Sequence, residues 1–217
     1  MGIKSRFIVL EGMDFCGKTT ITLKLTEHFE ALGLTVVRTR EPGGTPLGEN
    51  LRSLLLCNST DILPLTELLM FMSARNEHLQ TIILPALDEG KVVISDRFIG
   101  SSYVYQGAGK HLGDEAVTKA FANLHTSQVT QALSQHMQTF VLDISFEESR
   151  RRAGLRGEPA NRLDVVREQY YHNMRAAFKA LPEMNSTTLF QKNFHTVDAE
   201  RSVDEIFKHI LTKIEEA

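Results

Sequence analysis

The chain has no tryptophan, only two cysteines, six prolines among its 217 residues, and no surplus of basic charge. Each shortage closes off a class. Cys16 and Cys57 are too few for a disulfide framework and lack metal-ligand spacing, so both read as reduced thiols of a cytosolic protein. A formal net charge of -3 gives no support for a general nucleic-acid or membrane-surface binder, and any basic patch must be local. No apolar run approaches a membrane span, and Met1 to Arg6 lead straight into an apolar stretch, leaving no room for a signal peptide. No segment repeats or is of low complexity. The expectation is a soluble cytoplasmic protein with one domain over residues 1–217, a length at which an α/β domain buries a sizeable core.

What is present is a phosphate loop. Gly12-Met13-Asp14-Phe15-Cys16-Gly17-Lys18-Thr19 fits G-x-x-x-x-G-K-[ST] and follows the apolar run Phe7 to Leu10. The two glycines let backbone N–H groups curl around a polyphosphate, Lys18 reaches its terminal phosphates, and the Thr19 hydroxyl can ligate Mg²⁺. Thr20 to Leu25 continue as a helix whose N-terminal dipole faces the anion. Strand before and helix after distinguish this from an ordinary glycine turn. The loop, residues 12 to 20, is therefore the ATP-binding candidate.

Along the rest of the chain, short apolar runs alternate with helical periodicity. Helices are expected from Lys18 to Leu32 with Gly33 closing it, and from Pro46 to Leu56 behind a Thr45 N-cap. A longer one is expected from Pro64 to Leu87, where Leu68-Leu69-Met70-Phe71-Met72, apolar on all sides, predicts burial. Gly90 ends it. Strands are expected at Leu34–Thr39, Val92–Asp96, Thr139–Ile144 and Phe194–Val197, in addition to the first. Residues 100–113 read as a helical turn running into an irregular segment, followed by helical stretches at 114–124 and 129–136. Ser145-x-x-Glu148 is a capping box for a helix that Gly154, Gly157 and Pro159 interrupt. Further helices are expected near 162–181 and 203–214. This alternation predicts a three-layer α/β fold, with a parallel sheet of about five strands flanked by helices. Asp96, a carboxylate at a strand's C-terminal end, stands where such sheets place ligands.

Phosphoryl transfer needs two substrates in line and positive charge around the moving group. Cations cluster in Arg150-Arg151-Arg152 and again at Arg156 and Arg162, in a stretch whose glycines allow a hinge. Adjacent helical residues point about 100° apart, so the three neighbouring arginines cannot share one ligand and some are solvated surface. Behind a phosphate loop, the stretch about 150–164 reads as an Arg-rich lid over the polyphosphate.

The chain resembles thymidylate kinases, the P-loop enzymes that phosphorylate dTMP with ATP. The matching pieces are the loop, Arg40-Glu41-Pro42-Gly43-Gly44, Leu51 to Leu56, Leu69 to Arg75, Asp96-Arg97-Phe98, Ser101 to Gly107, Arg156-Gly157-Glu158 and Asn161 to Asp164. The resemblance implies a P-loop NTPase fold, a homodimer, MgATP and dTMP as substrates, and no nucleic-acid or membrane partner. It also implies site roles. Phe71 and Arg75, four residues apart on a helix, would stack on and hydrogen-bond the pyrimidine; read alone they would be core ring and surface cation. Asp14 would approach the sugar hydroxyl. Arg97, with Arg40 and Arg52, would hold the acceptor phosphate through planar guanidinium forks; Arg52 reads equally as a surface ion pair. Tyr105 would pack under the sugar. Ser101, Ser102, Gln106, Glu41 and Pro42 complete the dTMP set, and Thr19 and Asp96 the Mg²⁺ set. Phe15 stands where some relatives carry a loop arginine, so the chain resembles the bacterial type, whose lid supplies that charge. Lys18, Arg156, Arg162 and Arg151 are accordingly the candidates for stabilising the moving phosphoryl. The rivals are another P-loop nucleoside monophosphate kinase and a nucleotide switch; the latter would need N-K-x-D, which the sequence lacks.

Overall fold

The structure, a computed structural model, describes residues 6–57, 61–124, 126–156, 168–183 and 194–216. Five strands, β1 (Phe7–Gly12), β2 (Val36–Arg40), β3 (Val92–Asp96), β4 (Met137–Asp143) and β5 (Phe194–Asp198), form one sheet. The order is β2-β3-β1-β4-β5, and the pairings between neighbours are all parallel. Strands buried on both faces need near-continuous apolar runs, and β1 and β4 have them. Phe7, Ile8, Leu10, Phe140 and Val141 are each at most 1% exposed.

The helices are α1 (Lys18–Ala31), α2 (Pro46–Leu55), α3 (Pro64–His78), α4 (Leu84–Asp88), α5 (Ile99–Ser102), α6 (Asp114–Ala122), α7 (Ser127–His136), α8 (Phe146–Arg156), α9 (Glu168–Ala180) and α10 (Val203–Glu216). Helices α1 and α10 pack together on one face of the sheet, and α4, α7 and α9 cover the other. Helices α2 and α3 pack on each other beyond β2 and β3. The predicted N-cap forms, with Thr45 Oγ1 accepting from Gly48 N at 2.9 Å and Pro46 behind it.

Several expectations change. The long helix runs from Pro64 to Asp88, but through a π-helical turn at Leu79–Ile83. Pro85 has no N–H to donate, and the wider turn before it absorbs the missing bond. Nor is its apolar run Leu68 to Met72 buried all round: Leu69 is 52% exposed. Residues 99–109 are helical rather than irregular, α5 passing into a π-helix at Tyr103–Gly109. Gly154 does not interrupt α8, which continues to Arg156; Gly157 and Pro159 lie outside the described residues. The capping box is half formed. Ser145 Oγ accepts from Glu148 N, but the Ser145 amide donates to Glu200, because Glu148 is drawn to Arg151 and Arg152.

Candidate active site

Two cavities open at the C-terminal edge of the sheet. The larger, about 470 Å³, is lined by loop residues Asp14 to Thr20, by Arg40, Asp96 and Arg97, and on its far side by Arg152, Arg201, Val203 and Ile206. The smaller, about 100 Å³, is lined by Pro42, Phe71, Arg75, Phe98, Ser101, Tyr105 and Gln106 among others. Asp14, Glu41, Arg52 and Arg97 line both. These four mark the seam.

The loop's shape follows from its spelling. Gly12 has φ of +133°, and a Cβ there would lie 2.5 Å from the Leu142 carbonyl oxygen, so no side chain fits. Lys18, 7% exposed, folds back so that its Nζ donates to the Gly12 and Met13 carbonyls at 3.2 and 3.0 Å. Burial pushes the Cys16 thiol up, against the nearby Lys18, so it is no ready nucleophile. Ser149 of α8 donates to the Asp14 carbonyl at 3.1 Å, tying that helix to the loop.

At the seam, Arg97 Nη2 donates to Asp14 Oδ1 at 2.6 Å and Nη1 to the Gly12 carbonyl at 3.0 Å, and its guanidinium lies 5.3 Å from the Tyr105 ring centre. Desolvation in the cleft would raise the Asp14 carboxyl, but Arg97 and then Lys18 outweigh it and hold it below its usual range. Burial pushes the Tyr105 phenol well up. Arg52 donates to the Pro42 carbonyl at 2.9 Å rather than forming a surface ion pair. Arg40 does pair with a carboxylate, Glu49, at 2.9 Å, while still lining the larger cavity.

Behind the smaller cavity lies a buried polar network. Arg75 is 1% exposed and donates through Nε to Glu41 Oε2 at 2.7 Å, through Nη1 to Ser102 Oγ at 3.1 Å, and through Nη2 to the Phe98 carbonyl at 3.0 Å. The other Glu41 oxygen takes His78 Nδ1 at 3.1 Å, and His78 Nε2 meets Thr39 Oγ1 at 2.5 Å. A carboxylate only accepts, so Nδ1 is the donor toward Glu41. Gly44 is required beside them, since a Cβ would stand 2.6 Å from Thr39 Oγ1 and 2.7 Å from His78 Nε2. Glu67, 2% exposed, takes the Gln106 amide at 2.9 Å. Phe71 and Arg75 thus both line the smaller cavity, and Arg75 is held from three sides.

Thr19 and Asp96 both line the larger cavity, as a Mg²⁺ site shared with phosphates requires. Among the described residues no group of three or more His, Cys, Asp or Glu could hold a metal alone. One or two protein oxygens beside a polyphosphate is the donor set that Mg²⁺ accepts, so the residues fit it. Ser102 lines neither cavity and instead orients Arg75. Met13 likewise lies behind the cavities, its sulfur 4.0 Å from the Tyr105 hydroxyl. Of the lid candidates, Arg162 and the Arg156 side chain lie outside the described residues. Arg151 is turned to solvent and pairs with Glu148 at 2.6 Å, and the arginine that reaches the cavity wall is its neighbour Arg152. Arg152 donates to Glu148 and to the Ala199 carbonyl, at 2.7 and 2.8 Å. Sequence spacing does not separate Arg152 from Arg151, and Arg201 carries no local signal. Glu67 and His78 do have one: they stand at helical spacing on the face of α3 that carries Phe71 and Arg75.

Among the described residues, no helix is long and apolar enough to cross a membrane. A family model for thymidylate kinase matches residues 10–210. Thymidylate kinase of Alkalilimnicola ehrlichii is 37% identical over 215 residues, covering 99% of this chain and 92% of its own. That of Acinetobacter baylyi is 38% identical over 214 residues, covering 96% and 98%. The crystal structure of thymidylate kinase from Ehrlichia chaffeensis superposes with a TM-score of 0.73 at 27% identity, covering 97% of this chain and 99% of that one. With the phosphate loop, the five-stranded parallel sheet and the two joined cavities already in place, these matches over nearly the full length mean that the chain belongs to the thymidylate kinase family.

Proposed function

We propose that the protein transfers the γ-phosphoryl group of ATP to dTMP, giving dTDP and ADP, with residues 1–217 acting as one kinase domain in the cytoplasm. The observation that carries this reading is the seam: a phosphate-loop cavity and a ring-lined cavity share Asp14, Glu41, Arg52 and Arg97. Bound there, the two nucleotides would meet phosphate to phosphate. The loop amides and Lys18 would hold the β- and γ-phosphates once Lys18 leaves the Gly12 and Met13 carbonyls. Arg97, Arg52 and Arg40 would receive the acceptor phosphate. Phe71 would stack on the pyrimidine, Arg75 would read its edge, and Tyr105 would underlie the sugar near Asp14. An acceptor phosphate oxygen, already ionised at neutral pH, attacks the γ-phosphorus as the bond to the ADP oxygen breaks, so no general base is required. Mg²⁺, held by Thr19 and through water by Asp96, would neutralise charge on the phosphates. Arg156 and Arg162 would bring positive charge to the moving group. Arg152, Arg201 and Val203 would border the nucleoside of ATP.

A homodimer is also part of this reading. Leu47, Leu54, Leu65 and Leu69, on α2 and α3, are 48–54% exposed and give a second copy an apolar face.

The test is ADP formation from MgATP with dTMP, dUMP, the ribose form of TMP, dGMP and AMP offered separately. Preference for dTMP is expected, and preference for a purine overturns the reading. Replacing Arg156 and Arg162 in turn by alanine should lower kcat more than it raises either KM, since contacts made only in the transition state are lost.

A further inference from the structure

Glu11 is the last residue before the phosphate loop, and its place in the chain assigns it to the ATP side. Its side chain points elsewhere. Glu11 is 0% exposed, and its Oε1 accepts from Phe98 N and from Ser101 N, both at 2.9 Å, while Oε2 accepts from Ser101 Oγ at 2.6 Å. We propose that Glu11 is a positioning residue for the dTMP site, a cap lent by β1 to the helical segment Ile99–Gly109 that carries Ser101, Tyr105 and Gln106.

That segment needs such a cap. The first amides of a helix have no partner within it, and Phe98, at the N-cap position, offers no side-chain acceptor. The two amides that Glu11 takes are among these orphans. A carboxylate at a helix N-terminus also meets the positive end of the dipole. The fit is close: a Cβ on Gly100 would stand 2.9 Å from Glu11 Oε1.

The same contacts reach Arg97. This arginine has φ of +73°, a left-handed conformation that a non-glycine residue holds only when its surroundings fix it. On one side Arg97 N donates to the Leu10 carbonyl at 2.9 Å; on the other, Phe98 N is held by Glu11. Arg97 Nη1 donates to Ser101 Oγ at 3.1 Å, and that hydroxyl spends its own proton on Glu11. The carboxylate thus fixes the backbone after Arg97 and the hydroxyl beside its guanidinium. Further along the segment, Ser102 takes Arg75, and Tyr105 lies under Arg97. Loss of Glu11 would loosen the helix, Arg97 and the sugar platform together, whereas Lys18 is held by the Gly12 and Met13 carbonyls and makes no bond to this segment.

The inference rests on the dTMP reading of the smaller cavity, so wild-type protein is measured first, by calorimetric titration with dTMP and separately with MgATP. Failure of wild type to bind dTMP overturns that reading and this inference with it. Glu11→Gln keeps the shape and one accepting oxygen but loses the charge and the acceptor for Ser101. Its KM and Kd for dTMP should rise about tenfold, with those for MgATP within about twofold. Glu11→Asp keeps the charge and shortens the reach, and the same one-sided change is expected; it replaces Gln should that variant not fold. Because Glu11 acts through Ser101, adding Ser101→Ala to Glu11→Gln should cost less than the two single changes combined. An equal rise in both Kd values, a rise for MgATP alone, or no change in either would overturn the role of Glu11 and leave the dTMP reading intact.

Discussion

The two cavities are built on different principles. One wall of the larger is a single stretch of chain, Asp14 to Thr20, with its amides and one lysine, and among these loop side chains only Asp14 is engaged in an ion pair. The smaller is made by side chains from separate elements, held by buried charge. Glu41 follows β2, Arg75 and His78 come from α3, Glu11 from β1, and Ser102 from α5. Backbone donors need only a local conformation, whereas buried charges need partners, since desolvation makes an unpaired one costly. The first region can therefore lose a side chain and keep its shape. The second cannot.

Substitutions can break that contrast. The largest effect on turnover is expected from Lys18→Ala, a loss in kcat of about a hundredfold or more, with the urea unfolding midpoint nearly unchanged. Arg75→Ala should cost stability as well, about 3–5 kcal/mol in urea unfolding, because it leaves Glu41 buried without its guanidinium partner. If Arg75→Ala unfolds at the wild-type midpoint, the contrast between the regions is wrong. Arg152→Ala should raise KM for MgATP about tenfold and leave KM for dTMP alone, since one charge-assisted contact is lost at the larger cavity.

The smallest effect is one of pH. The folded-state carboxyl of Asp14 is held below its unfolded value, so its contribution to stability is present above about pH 4 and is lost as pH falls through the lowered value. Acid unfolding of Asp14→Asn should therefore be shallower than wild type below about pH 4, with the two curves parallel at neutral pH. A wild-type-like acid limb in the variant would show that Arg97 does not depress this carboxyl.

The same contrast explains what the sequence made legible. A loop whose function lies in eight consecutive residues announces itself, and so do strands buried on both faces. The α8 arginines do not: the side on which each residue falls depends on how α8 meets the loop, and that is set by Ser149 and Ala199, far apart in the chain. Glu11 was hidden for the opposite reason. Its neighbours in sequence belong to one substrate and its hydrogen bonds to the other. The exposed leucines of α3 read as core because apolar residues on every side of a helix do not say which side is covered.

The seam also bears on the design of inhibitors. Two carboxylates and two guanidiniums, Asp14, Glu41, Arg52 and Arg97, are common to both chambers. A single molecule that joins a nucleoside triphosphate mimic to a thymidine would pass these four groups. Its linker chemistry could be chosen against those four groups alone. Selectivity would then come from the joint rather than from either nucleotide end.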